Sequence, residues 1–233
     1  MYLVTFKYLV VLISTETFKL VYYISFFLSI LSLLFCLFLL KYQGGKDIVL
    51  LLYLGISVFF DFMNEYFVKW FELSTNYHIL NSWSFVEFLV LFYFILQIEE
   101  LKKYRNKFYI FLVLFLVTCV LVLTFYKSIY ELINIHKLYS AFFYSSVSIV
   151  LFYQFLQSLK NNLLRTSLFW QNTGLFIYFT GNIMIFLMID YLYSDNYSFF
   201  NTGWIIHNFL TIIKTICIMM SFYINKKYHS VNQ

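Results

Sequence analysis

The chain of 233 residues has no proline, six glycines, one alanine (Ala141) and only 12% charged residues. Each shortage excludes something. Without proline no helix carries the usual cause of a sharp kink, which counts against transporters built on interrupted spans. So few charges cannot coat the surface of a water-soluble domain. The three cysteines, Cys36, Cys119 and Cys217, fall in separate apolar runs with no disulfide or zinc spacing, so packing is their expected role. No HExxH or paired-histidine motif occurs, no catalytic residue is assigned, and no metal or cofactor is expected.

What the chain has in abundance is apolar length. Hydrophobic residues make up 62% of it, and the mean hydropathy is +0.79. A helix needs roughly 20 apolar residues to cross the ~30 Å hydrocarbon layer. Runs of that length fall at 20–40, 48–68, 77–97, 108–126, 138–157, 168–191 and 204–224. The expected fold is therefore an all-α integral membrane protein, a seven-transmembrane-helix bundle. The alternating ten-residue strands of a β-barrel would not give such runs. The 24% aromatic content, with 31 Phe and 22 Tyr, accompanies abundant Ile, Asn and Lys. That is the profile of an AT-rich genome, so the rings read as generic bulky apolar residues rather than as a chromophore box.

The joints are too short to form domains. Residues 1–19 read as an N-terminal interfacial segment without a signal-peptide cleavage site, 20–225 as the transmembrane domain, and 226–233 as a short cytoplasmic tail. Basic residues orient the bundle. Lys7, Lys19, Lys69, Lys127 and Lys137 fall on one side, whereas Lys41, Lys46, Lys102, Lys103, Arg105, Lys107, Lys160, Arg165, Lys226 and Lys227 fall on the other. Basic joints stay cytoplasmic, so the N-terminus is expected outside and the C-terminus inside, in a bacterial cytoplasmic (inner) membrane. The net charge of +5 then belongs to a rim facing anionic lipid, and nucleic acid is not an expected partner.

Polar residues inside the spans carry the functional information, because they are costly there and face a bundle interior or cavity. Asp61, Asn64 and Glu65 stand at i, i+3 and i+4, so they are expected on one helical face, with Lys69 one turn beyond to pair with Glu65. Glu87 falls near the middle of the third span. In the seventh, His207, Thr211, Lys214 and Thr215 form one polar stripe, with Trp204 and Asn208 near its outer end. A central Glu and a central Lys are each expensive alone and far less so together, so Glu87 and Lys214 are expected to pair. The sixth span adds Asn182, together with Gly174 and Gly181, spaced for close helix approach.

By depth these residues lie between mid-membrane and the outer surface, which describes an outward-facing polar cavity. The ligand-binding candidates are Asp61, Asn64, Glu65, Glu87, Asn182, Trp204, His207, Asn208 and Lys214. They suit a receptor-like sensor that binds a small or lipidic ligand and signals through a separate protein partner. They also suit a membrane-embedded lipid hydrolase using Asp61, Glu65, Glu87, His78 and His207, with or without a metal. A structural subunit of a membrane complex is a third reading. A retinal protein would need an acidic residue one turn before the central lysine, where this chain has Leu210.

The segments LLRTSLFWQNTGLFIYFTGN and WIIHNFLTIIK resemble a poorly described group of bacterial seven-span membrane proteins, some encoded near histidine kinases. The resemblance covers the last two spans best and points towards signalling.

Overall fold

The computed structural model describes residues 2–67, 70, 76–125, 133–157, 163–195 and 197–229. Among them are seven long α-helices and no strand: α1 (Tyr2–Phe38), α2 (Gly45–Phe62), α3 (Tyr77–Leu96), α4 (Arg105–Phe125), α5 (Asn134–Gln157), α6 (Ser167–Asp195) and α7 (Tyr197–His229). Lys69, Lys127 and Lys160 lie outside the described residues, and with them the expected pairing of Lys69 with Glu65. Residues 2–19 continue into the first span as one helix.

Six helical segments are long and apolar enough to cross a membrane: Glu16–Phe38, Gly45–Tyr66, Tyr77–Leu96, Glu99–Phe125, Asn134–Gln157 and Asn201–Lys227. Their outward faces are greasy, with Phe27 74%, Phe38 76% and Phe125 81% exposed. A water-soluble monomer does not leave such a surface bare, whereas in lipid it costs nothing. These helices mark an integral membrane protein.

The remaining long helix is α6. Its buried residues Leu168, Gln171, Asn172, Leu175, Tyr178, Phe179, Asn182, Ile185 and Phe186 recur in a repeating i, i+3, i+4, i+7 pattern. They form one continuous stripe, and three of its positions are amides. At 29 residues the helix is about 43 Å long, more than the ~30 Å hydrocarbon thickness.

Six helices close a ring in the order α1, α2, α3, α5, α6, α7 and back to α1, while α4 packs outside it against α5 and the short 3-10 segment Glu99–Tyr104. The closest seam joins α6 to α7. A Cβ on Gly174 would sit 2.7 Å from the Cys217 Cβ and 3.1 Å from the Lys214 carbonyl oxygen, so only glycine allows the two backbones this approach. Between neighbours in the ring, Tyr144 on α5 donates to the Phe88 carbonyl on α3 at 2.5 Å, and Asn172 on α6 donates to the Ser148 carbonyl on α5 at 3.1 Å.

One end of the ring is tied by Asp47, which begins α2. Its carboxylate accepts from the Gly44 N–H (3.1 Å), from Gln171 of α6 (2.5 Å) and from Asn225 of α7 (3.1 Å). Asn225 also donates to Gln43 Oε1 at 2.8 Å. The bond to Gly44 satisfies a backbone donor at the helix start. The other two make a helix-capping residue into a three-helix latch.

Candidate functional site

The polar centre is built from the inward faces of α2, α3, α6 and α7. On α2, Tyr53, Ser57 and Asp61 are spaced by four, so they form one stripe along the helix. Glu87 of α3 and Lys214 of α7 face that stripe from opposite sides of the ring. The expected ion pair between them is present: Lys214 Nζ lies 3.8 Å from Glu87 Oε1, with side-chain exposures of 4% and 10%.

Tyr53 completes the pair. Lys214 Nζ donates to Tyr53 Oη at 2.5 Å, and Tyr53 Oη donates to Glu87 Oε1 at 2.8 Å. The ammonium also stands 3.7 Å from the centroid of the Tyr178 ring, a cation–π contact that strengthens where water is excluded. One buried charge from each of two helices is thus neutralised through a hydroxyl from a third. Breaking such a pair leaves an uncompensated ion in low dielectric, which is why it couples the positions of all three helices.

His207 is held separately, one side away from the ion pair. Asn182 donates through Nδ2 to the Tyr178 carbonyl (2.7 Å), which leaves its Oδ1 as an acceptor 2.7 Å from His207 Nδ1. With the amide assigned this way, His207 carries its proton on Nδ1 and presents Nε2 as an acceptor. Tyr178, Phe186 and Trp204 surround the imidazole, with ring centroids at 5.6, 6.1 and 5.1 Å.

Between these two arrangements lies a polar cavity of about 50 Å³, lined among others by Tyr22, Ser57, Asp61, Trp83, Asn208 and Thr211, with Tyr178, His207 and Lys214 in its wall. That is room for a few water molecules or a small ion, well short of the roughly 300 Å³ at which organic-ligand pockets begin. Asp61 lines the same cavity as Lys214, whereas Glu87 is its ion-pair partner. The lysine therefore has one carboxylate within its network and a second across the cavity.

Of the residues expected to share the site, Asp61, His207, Asn208 and Lys214 line the cavity. Glu87 joins through Tyr53 and Lys214, Asn182 through His207, and Trp204 through its edge-on contact with the imidazole. Asn64 and Glu65 do not line it. Met63–Phe67, which follows Asp61, is a π-helical segment, whose i→i+5 bonding widens the turn. Asn64 accepts instead from Asn76 at 2.6 Å, and Glu65 accepts from Tyr23 of α1 at 3.3 Å.

Three participants escaped the sequence reading. Tyr53 is a tyrosine among 22, yet its spacing from Ser57 and Asp61 was the available signal. Asp47 looked like a joint residue. Lys137 also looked like one, but it is buried on α5 with its ammonium 5.3 Å from the Trp204 ring centroid and 5.9 Å from that of Phe186. For the lipid-hydrolase reading, no group of three or more His, Cys, Asp or Glu among the described residues could hold a metal ion. No family model, curated protein or solved structure matches the chain.

Proposed function

We propose that this chain is a seven-span sensor of a bacterial cytoplasmic membrane, with its N-terminus outside, which responds to a small polar or ionic ligand in the Asp61–His207–Lys214 cavity and signals through a separate protein. One observation carries the reading: the cavity wall includes Lys214, and Lys214 is also the ammonium that holds α2 and α3 to α7 through Tyr53 and Glu87. A ligand that draws this charge towards Asp61 weakens its hold on Glu87. That is the differential interaction a two-state switch requires. The volume of about 50 Å³ favours a small polar ligand over a lipidic one. The resemblance of the last two spans to seven-span proteins encoded near histidine kinases supports signalling as the output.

The test is complementation of a deletion strain, reading the transcriptional response that the deletion abolishes. Asp61→Asn and His207→Gln should lose the response at near-normal expression, whereas Glu65→Gln, which lies off the cavity, should retain it. Full response from both cavity variants, or equal loss from Glu65→Gln, would overturn the assignment. The chain would then read better as a structural subunit.

A further inference from the structure

Outside the ring, α4 and α5 enclose a second hollow of about 310 Å³, unlike the first in every respect. Its walls are Phe108 and Phe111 from α4 and Phe142, Phe143 and Val150 from α5. Two of the hydroxyls that border it are already engaged: Tyr139 donates to the Phe111 carbonyl (2.8 Å) and Ser146 to the Phe142 carbonyl (2.8 Å). Away from the end that carries Tyr104 and Lys107, the trough offers no free polar group to a peptide backbone. A helix, about 10 Å across, does not enter it.

Along α5 the lining runs from Tyr139 to Val150, a rise of about 16 Å, which is close to one leaflet of a ~30 Å hydrocarbon layer. The end of the trough nearest the 99–104 joint carries Tyr104 and Lys107. Lys107 is exposed and makes no ion pair among the described residues; its ammonium and that of Lys103 stand 5.9 and 5.0 Å from the Tyr104 ring centroid. Around that mouth Lys102, Lys103, Arg105 and Lys107 outnumber Glu99 and Glu100, and Lys102 is partnered by Glu99 at 3.8 Å. The surplus charge is therefore positive, on flexible stems that reach to the headgroup level.

We propose that this trough is a binding site for one anionic phospholipid, its acyl chain lying along the aromatic wall and its phosphate held by Lys107 with Lys103. Positive charge at one end and a dry apolar groove of one-leaflet length select that occupant by shape and by charge together. The site is independent of the polar cavity and of the function assigned to it.

Native mass spectrometry of the full chain, released from micelles doped with equal amounts of phosphatidylglycerol and phosphatidylcholine, tests the proposal. The wild type should retain one phosphatidylglycerol in preference to phosphatidylcholine. Lys107→Gln, an exposed change that leaves the fold alone, should cut that retention at least fivefold, as should Ser146→Trp, which fills the trough. Lys41→Gln, at a different joint, should leave retention unchanged. Equal retention of the two lipids, or wild-type retention by Lys107→Gln, would overturn the site. So would disulfide-linked dimers of Ser146→Cys, which would show a second copy covering the face.

Discussion

Tyr53 is the residue on which the centre depends, because it allows a lysine and a glutamate 3.8 Å apart to share one hydroxyl. Removing a single charged partner strands the other in a medium with few alternative donors, and breaking a buried pair typically costs ~3–5 kcal/mol. Lys214→Met should accordingly destabilise the purified protein by about that amount in a denaturant or thermal unfolding assay. Glu87→Gln combined with Lys214→Met should recover at least half of the loss, since the carboxamide still accepts from Tyr53 and the Glu87 charge is no longer stranded. Strictly additive losses in this cycle would show that the two side chains are not coupled. Tyr53→Phe, which removes one hydroxyl and keeps both charges, should cost less, about 1–3 kcal/mol.

Helices α6 and α7 meet through two glycines that look equivalent in the sequence and are not equivalent in space. Beside Gly174 lie a neighbouring Cβ and backbone atoms of α7, whereas the nearest atoms beside Gly181 belong to the Leu210 side chain, its two methyls 2.7 Å and its Cγ 3.3 Å from an added Cβ. Backbone cannot step aside without parting the helices; a leucine terminus can rotate. Gly174→Ala should therefore destabilise by about 1–3 kcal/mol as an overpacked seam. Gly181→Ala should lie within about 1 kcal/mol of wild type, because the gain in helix propensity offsets the crowding. Unfolding curves of the two variants decide the point, and Cys217→Gly should rescue part of the Gly174→Ala loss by removing the nearest atom. Equal effects at both positions would contradict this account of the seam. The same element level explains why Asp47 matters beyond its own helix: its bonds to Gln171 and Asn225 join the start of α2 to α6 and α7.

For the molecule as a whole, the ring of six helices with α4 outside it sets two faces apart. The polar cavity opens among α1, α2, α3, α6 and α7, and the apolar trough lies on the far side between α4 and α5. The proposed orientation rests on the excess of basic residues on one side, ten against four once the buried Lys137 is set aside. Reporter fusions after residue 104 and at the C-terminus should both read cytoplasmic. If either reads external, the orientation falls, and the cavity opens to the other compartment. The packing of the ring is independent of that result.

Seven apolar runs, an all-helical fold and the attraction between a central glutamate and a central lysine were legible in one dimension, because the bilayer imposes length and the cost of buried charge imposes pairing. Depth along the membrane normal is likewise a count of residues. Azimuth is not. Lipid tails are as apolar as a leucine core, so a spanning helix need not announce in its hydrophobic pattern which face looks inward. Hence the tertiary structure alone decided that Tyr53 enters the ion pair, that Asn64 and Glu65 fall outside the cavity that Asp61 lines, and that Lys137 is buried against Trp204. It alone placed α4 outside the ring, since neighbour order depends on which helix faces fit together. Where polar side chains sit on several helices at matching depth, only the packed bundle determines which of them meet.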